Sequence, residues 1–132
     1  MDTNILFSAL IKEEGLTREL LLNNRFSLYT VEFFFEEFFN NIDEISEKTG
    51  LSKGLLIEKL RKLIRLANIK IIPIEEVKDY VEEAKEISPD PDDVLYFTLA
   101  LKLKCAIWSD DKKLKEQRHV KVYSTNEVIR LI

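Results

Sequence analysis

The chain holds one cysteine, three glycines and one histidine among 132 residues, and each scarcity closes a route. Cys105 alone forms no intramolecular disulfide, so a reducing, cytoplasmic setting is expected; within an apolar stretch it reads as a small core residue. No Cys/His grouping suits zinc, and His119, in a charged stretch, reads as solvated. Gly15, Gly50 and Gly54 form no phosphate-cradling loop of the Walker or dinucleotide kind. No apolar run approaches the ~18 residues of a membrane span, and the opening residues do not read as a signal peptide. Positive charge is also short: 20 Lys and Arg against 24 Asp and Glu leave a net −4. Broad electrostatic attraction to nucleic acid is therefore not expected, and phosphate binding would be local or bridged by cations. Repeats, low-complexity stretches and linkers are missing too.

What is present is a patterned globular chain. Hydrophobic residues at 45% and charged residues at 33% fit one folded domain over residues 1–132, long enough for a real core. Helices are expected at Ile5 to Ile11, capped by Asp2 or Thr3 and ended by Gly15, and at Thr17 to Asn24. Others follow at Val31 to Lys48, closed by Thr49-Gly50, at Ser52 to Leu66, at Glu75 to Glu86, and at Thr125 to Ile132, capped by Ser124 or Thr125. In the Ser52 helix, Leu55, Leu56, Leu60, Leu63 and Ile64 lie opposite Lys59, Arg61, Lys62 and Arg65. Strands are expected at Phe26 to Thr30, Ile69 to Ile74, Cys105 to Ser109 and Val120 to Ser124, with one or two helical turns at Lys112 to Gln117. Strands alternating with helices indicate an α/β fold, a three-layer α/β/α sandwich around a short, mainly parallel sheet.

The chemistry gathers at acids placed where such sheets put their sites, beyond the strand ends. Asp90 reads as an N-cap with Pro91 at the first helical position. Asp93 follows in the first turn of a helix apolar nearly all round, from Val94 to Leu103. Asp110 and Asp111 follow the third strand, and Asp2 opens the chain. Each aspartate taken singly is explained by capping; the case rests on their arriving together. In Phe33-Phe34-Phe35-Glu36-Glu37-Phe38-Phe39, a stripe of Phe34, Phe35, Phe38, Phe39, Ile42 and Ile45 leaves Glu36 and Glu37 on opposite flanks, so helical geometry does not choose between them. Phe33 lies opposite that stripe and hints at a subunit contact. With oxygen donors alone, Mg²⁺ or Mn²⁺ is the cofactor expected.

Four pieces in order, Asp2-Thr3-Asn4-Ile5-Leu6, Thr30-Val31-Glu32-Phe33-Phe34-Phe35-Glu36-Glu37, Asp90-Pro91-Asp92-Asp93 with Leu99-Ala100-Leu101, and Trp108-Ser109-Asp110-Asp111-Lys112-Lys113-Leu114, resemble the PIN domain. That nuclease family includes the toxin halves of VapBC toxin–antitoxin pairs. The resemblance maps the family's four catalytic, metal-binding acids onto Asp2, Glu36, Asp93 and Asp111, with Thr3, Asn4, Asp90 and Ser109 in support. It departs at one place. The family's central apolar strand before the first aspartate is reduced here to Met1. A truncated start, or a sheet without its middle strand, is the expectation.

The resemblance implies Mg²⁺- or Mn²⁺-dependent hydrolysis of RNA phosphodiester bonds by the carboxylate cluster. Lys112, Lys113, Lys115 and Arg118 would guide the RNA backbone. An antitoxin protein and a second copy of the chain are the partners implied, with no membrane. Two other readings stand beside it: a non-catalytic PIN-like RNA-binding or scaffolding module, and a phosphoacceptor signalling domain. The second wants a lysine ending its last strand, where this chain has Ser124.

Overall fold

Short polar residues start the helices that matter most. The computed structural model describes residues 1–12 and 14–132. Helix α1 (Thr3–Ile11) is capped by the Asp2 side chain on the Asn4 N–H. Gly15 opens α2 (Leu16–Leu21) rather than closing α1, which ends at Ile11. The strand expected from Phe26 is β1 (Tyr29–Val31), so α3 (Phe34–Thr49) begins three residues later than its apolar pattern indicates. Val31 is the last strand residue and is 1% exposed. Ser52 caps α4 (Lys53–Leu66), which leads to β2 (Lys70–Ile72).

The helix expected from Glu75 to Glu86 is broken. Two 3-10 turns, Ile74–Glu76 and Lys78–Tyr80, precede α5 (Val81–Ile87). Glu32 Oε1 accepts the Ile74 N–H at 3.1 Å at the start of the first turn, and the interruption falls at Val77, which is fully buried in the cluster with Phe97. Asp90 caps a further turn at Pro91–Asp93 that runs into α6 (Val94–Leu103). The chain closes with β3 (Ile107–Trp108), a 3-10 turn at Lys112–Lys115, β4 (Val122–Tyr123), and α7 (Thr125–Val128) under a Ser124–Glu127 capping box.

The strands are short because each carries only enough residues to face two cores. Successive side chains of a strand point to opposite faces. Ile107 accordingly enters one hydrophobic cluster, with Phe97, Val77 and Leu114, while Trp108 enters the other, with Phe34, Phe38 and Leu56. Ile71 and Ile72 divide the same way. Helices α1 to α4 cover one face, and α5 and α6 the other, giving the mixed α/β architecture expected.

Pairing is parallel throughout, in two separate pairs, β1 with β2 and β3 with β4. Residues 1 and 2 lie between them: the Met1 amine donates to Tyr29 O and the Asp2 N–H to Trp108 O, both at 3.0 Å. Asp2 is thereby fixed by backbone at the junction of the two pairs. Beside it is an apolar cleft of about 310 Å³ lined by Tyr29, Tyr96, Leu99, Ile107 and Trp108. Cys105 stands at this cleft and is exposed, not a core residue as its apolar neighbours suggest, because α6 ends in the left-handed Lys104 and β3 starts only at Ile107.

Gly50 ends α3 at φ 72°, with its N–H donating to Ser46 O at 2.8 Å. A Cβ on Gly50 or on Gly54, within α4, would meet nothing within 4 Å. Gly50→Ala should therefore lose about 1 kcal/mol of unfolding free energy, and Gly54→Ala should gain about 0.5 kcal/mol, because only the first forces a side chain into the left-handed region. Urea titration of both variants checks the pair.

Candidate active site

Asp2 is a cap first. Its Oδ1 accepts the Asn4 N–H at 3.1 Å, which starts α1. Its Oδ2 accepts the Ser109 hydroxyl at 2.7 Å, across the sheet junction. Both carboxylate oxygens are thus held, and the residue is 5% exposed. Ser109, itself 1% exposed, accepts the Asp111 N–H at 3.1 Å on the same oxygen. One buried hydroxyl therefore ties the first acid to the segment carrying the last.

Asp111 caps the Lys112–Lys115 turn through Oδ1 on the Lys113 N–H, at 3.0 Å. Its neighbour Asp110 faces elsewhere. Asp110 accepts the Thr125 N–H at 2.6 Å and the Thr125 hydroxyl at 2.7 Å, and Thr125 accepts the Trp108 indole N–H at 3.1 Å. Both Asp110 oxygens are consumed in starting α7. The two neighbouring aspartates thus serve different turns, Asp111 the one at Lys112–Lys115 and Asp110 the one that opens α7.

From the other side of the sheet junction come α6 and α3. Asp93 is half-buried at the start of α6, with no side-chain capping bond. Tyr96, one turn on and 3% exposed, donates its phenol to Glu37 Oε1 at 2.5 Å. The Thr3 hydroxyl donates to the same oxygen at 2.9 Å. The helix thus turns Glu37 toward the acidic residues, where the resemblance maps Glu36. Glu36 is exposed and lines a separate surface hollow with Phe35, Ile74 and Leu95. The stripe that left the choice open had counted Phe35 and Phe39, and these are 37% and 52% exposed. Phe33, expected outermost, packs against the cluster containing Phe97.

Burial, and then the carboxylates of Asp2, Asp90, Asp111 and Glu37, push the Asp93 carboxyl from 3.8 up to about 6. Asp90 moves the opposite way: the Asp92 N–H holds it below its ordinary value, with desolvation opposing and Lys113 assisting. Lys113 Nζ stands 3.3 Å from Asp90 Oδ2 and links the two acidic turns. Burial draws the Met1 ammonium from 8.0 down to about 6, with Cys105 and Asp2 opposing.

These shifts set a pH signature. The folded protein holds the Asp93 proton more tightly than the unfolded chain, so that contribution is present below about pH 4 and lost as pH rises through about 6. Met1 has the reverse sign: its folded pKa is depressed, so its contribution is present above about pH 8 and lost as pH falls through about 6. Metal-free protein should show a shallow stability minimum near pH 6, of order 1 kcal/mol on each side. Urea unfolding from pH 4 to 8 reads it, and a profile rising to a maximum at pH 6 would contradict both shifts.

Of the residues singled out from sequence, Asp2, Ser109 and Asp111 are joined by hydrogen bonds, and Asp93 lies within electrostatic reach of Asp2, Asp90 and Asp111. Asn4 contributes its backbone N–H while its side chain is exposed. Among the basic residues, Lys113 pairs with Asp90, and Lys115 with Glu127. Lys112 and Arg118 are exposed. Tyr96 was missed, although its spacing from Asp93 puts both on one helix face. The donor set, carboxylate and hydroxyl oxygens that repel one another when ionised, fits a hard dication in chemistry. Among the described residues, no three acidic, histidine or cysteine side chains already stand together as a ligand set.

A family model described as PIN domain matches residues 1–128. Neither a curated protein nor a solved structure matches the chain.

Proposed function

Since the chain belongs to the PIN domain family, whose members are commonly nucleases and generally use divalent metals, we propose that it hydrolyses RNA phosphodiester bonds with Mg²⁺ or Mn²⁺. The arrangement that supports this reading is the one around Asp93: a half-buried acid with no capping bond, within electrostatic reach of Asp2, Glu37, Asp90 and Asp111, which together with burial raise its pKa to about 6. Structural caps do not need such crowding; a site that gathers cations does.

Asp2, Glu37, Asp93 and Asp111 would hold the ion, which when bound supplies Lewis-acid neutralisation of phosphate charge and an acidified water. The chain's own residues set the stage. Ser109 and the Asn4 N–H fix Asp2 in one orientation. The Asp90–Lys113 pair keeps the turn before α6 against the turn after β3. Lys112 and Arg118, both exposed, would meet the RNA backbone, letting a chain of net charge −4 engage a polyanion locally. An antitoxin-like protein that covers this end, and a homodimer, complete the proposal.

A mixed pool of single-stranded RNAs should be cut when Mn²⁺ or Mg²⁺ is added, with cutting abolished by EDTA and restored by excess metal. The competing reading is an RNA-binding or scaffolding module without catalysis, and the open spacing of the acids favours it. Absence of EDTA-sensitive cutting on every RNA, together with no Mn²⁺ binding by calorimetry, would decide for that module.

A further inference from the structure

We infer that Tyr96 is a positioning residue that fixes the Glu37 carboxylate and leaves one of its oxygens free for the acidic cluster. The hydrogen-bond directions carry the argument. The Thr3 N–H donates to the Tyr96 oxygen at 3.2 Å, so that oxygen is an acceptor from above. The phenol has a single proton, and Glu37 Oε1 at 2.5 Å is a pure acceptor that takes it. The Thr3 hydroxyl, also touching Tyr96, converges on the same Oε1 at 2.9 Å. Two donors therefore occupy Oε1, and no hydrogen bond to Oε2 is found among the described residues.

Three segments meet in this knot: the first turn of α1, the first turn of α3 and the first turn of α6. Asp93 and Tyr96 are one turn apart, so the element that presents the raised-pKa acid also anchors the glutamate beside it. Tyr96 touches neither substrate nor metal in this account; it acts through Glu37. The consequence for catalysis rests on the nuclease reading, whereas the grip on Glu37 does not.

Tyr96→Phe keeps the ring in its pocket and removes the donor. Partners that orient a metal ligand typically contribute about 10- to 100-fold in metal affinity or activity. Mn²⁺ affinity, read by electron paramagnetic resonance, should weaken about 10-fold in Tyr96→Phe, and kcat for RNA should fall comparably with KM within about two-fold. In the Glu37→Gln background the same change should cost less than about two-fold, because the amide that Tyr96 still holds no longer offers the ion a charge. Equal losses in both backgrounds, or no loss in either, would overturn the positioning role. If the Phe variant does not fold, Thr3→Val removes the second donor to Oε1 and must show the same dependence on Glu37.

A carbon-13 reading of the glutamate carboxyls needs no metal. The Glu37 carboxyl resonance should move on Tyr96→Phe and stay in place on Tyr29→Phe. Wild-type protein that neither binds Mn²⁺ nor cuts RNA, yet shows this movement, sinks the nuclease reading and leaves Tyr96 holding Glu37. An unmoved resonance overturns the inference itself.

Discussion

Asp93→Asn should lose RNA cleavage by about two to three orders of magnitude while making the folded protein more stable. The activity loss follows from removing the acid at the focus of the cluster; groups that stabilise developing charge in a closed site contribute on that scale. The stability gain follows from the same electrostatics. At pH 7 the Asp93 carboxylate is ionised against burial and against Asp2, Asp90, Asp111 and Glu37, since its folded pKa is about 6 where the ordinary value is 3.8. A neutral amide of the same shape removes that repulsion. The shift alone would amount to about 3 kcal/mol, and discounting for solvent screening of a half-exposed group leaves about 1 kcal/mol. No capping bond is lost, because Asp93 makes none. Saturating Mn²⁺ should then stabilise wild type by mass action and leave the Asn variant nearly unchanged. An Asn variant that cuts RNA at the wild-type rate, or melts earlier in metal-free buffer at pH 7, contradicts this account of the site.

That trade, stability given up to keep charge where function needs it, also explains which parts of the molecule were readable from the sequence. Caps were readable because their chemistry is local: Asp2, Asp90 and Ser124 each accept the N–H two or three residues on. The core face of α4 was readable from spacing at Leu56, Leu60 and Leu63, which are buried, whereas Leu55, counted with them, is 40% exposed. Asp2, Asp90 and Asp111 were readable as caps, whereas Asp93, which caps nothing, was marked only by standing in the same turn as Asp90.

What escaped the sequence was decided by contacts between distant segments. The expected Glu75 to Glu86 helix is interrupted at Val77, which is fully buried in the cluster with Phe97. Trp108 is a core residue as its type suggests, whereas Cys105, three positions earlier, is not, since the left-handed Lys104 delays the strand. Tyr96 looks like one more core aromatic in an apolar helix. Its function-bearing atom is a hydroxyl whose partners lie 59 and 93 residues away, and no local pattern encodes them.

The choice between Glu36 and Glu37 is the sharpest case, and it yields a second large expected effect. Taken over all six apolar residues from Phe34 to Ile45, the stripe centres so that Glu36 and Glu37 flank it at about equal angles, given ~100° per residue. Phe35 and Phe39 do not belong to it, being 37% and 52% exposed. With only the buried Phe34, Phe38, Ile42 and Ile45, the centre swings back, leaving Glu37 at the border about 95° away and Glu36 nearly opposite, at about 165°. A border residue reaches neighbouring elements; an opposite one reaches solvent. Glu37→Gln should therefore lower metal-dependent RNA cleavage by about 10²-fold and weaken Mn²⁺ binding, because the amide keeps the bonds from Tyr96 and Thr3 but forfeits the charge. Glu36→Gln, at an exposed position outside the cluster, should change cleavage by less than about two-fold and stability by less than about 0.5 kcal/mol. Measured side by side at pH 7.5 in Mn²⁺, the two variants separate sequence register from spatial register. If Glu36→Gln is the one that silences the protein, α3 is rotated relative to this structure, and the knot of Thr3, Glu37 and Tyr96 cannot be part of the site.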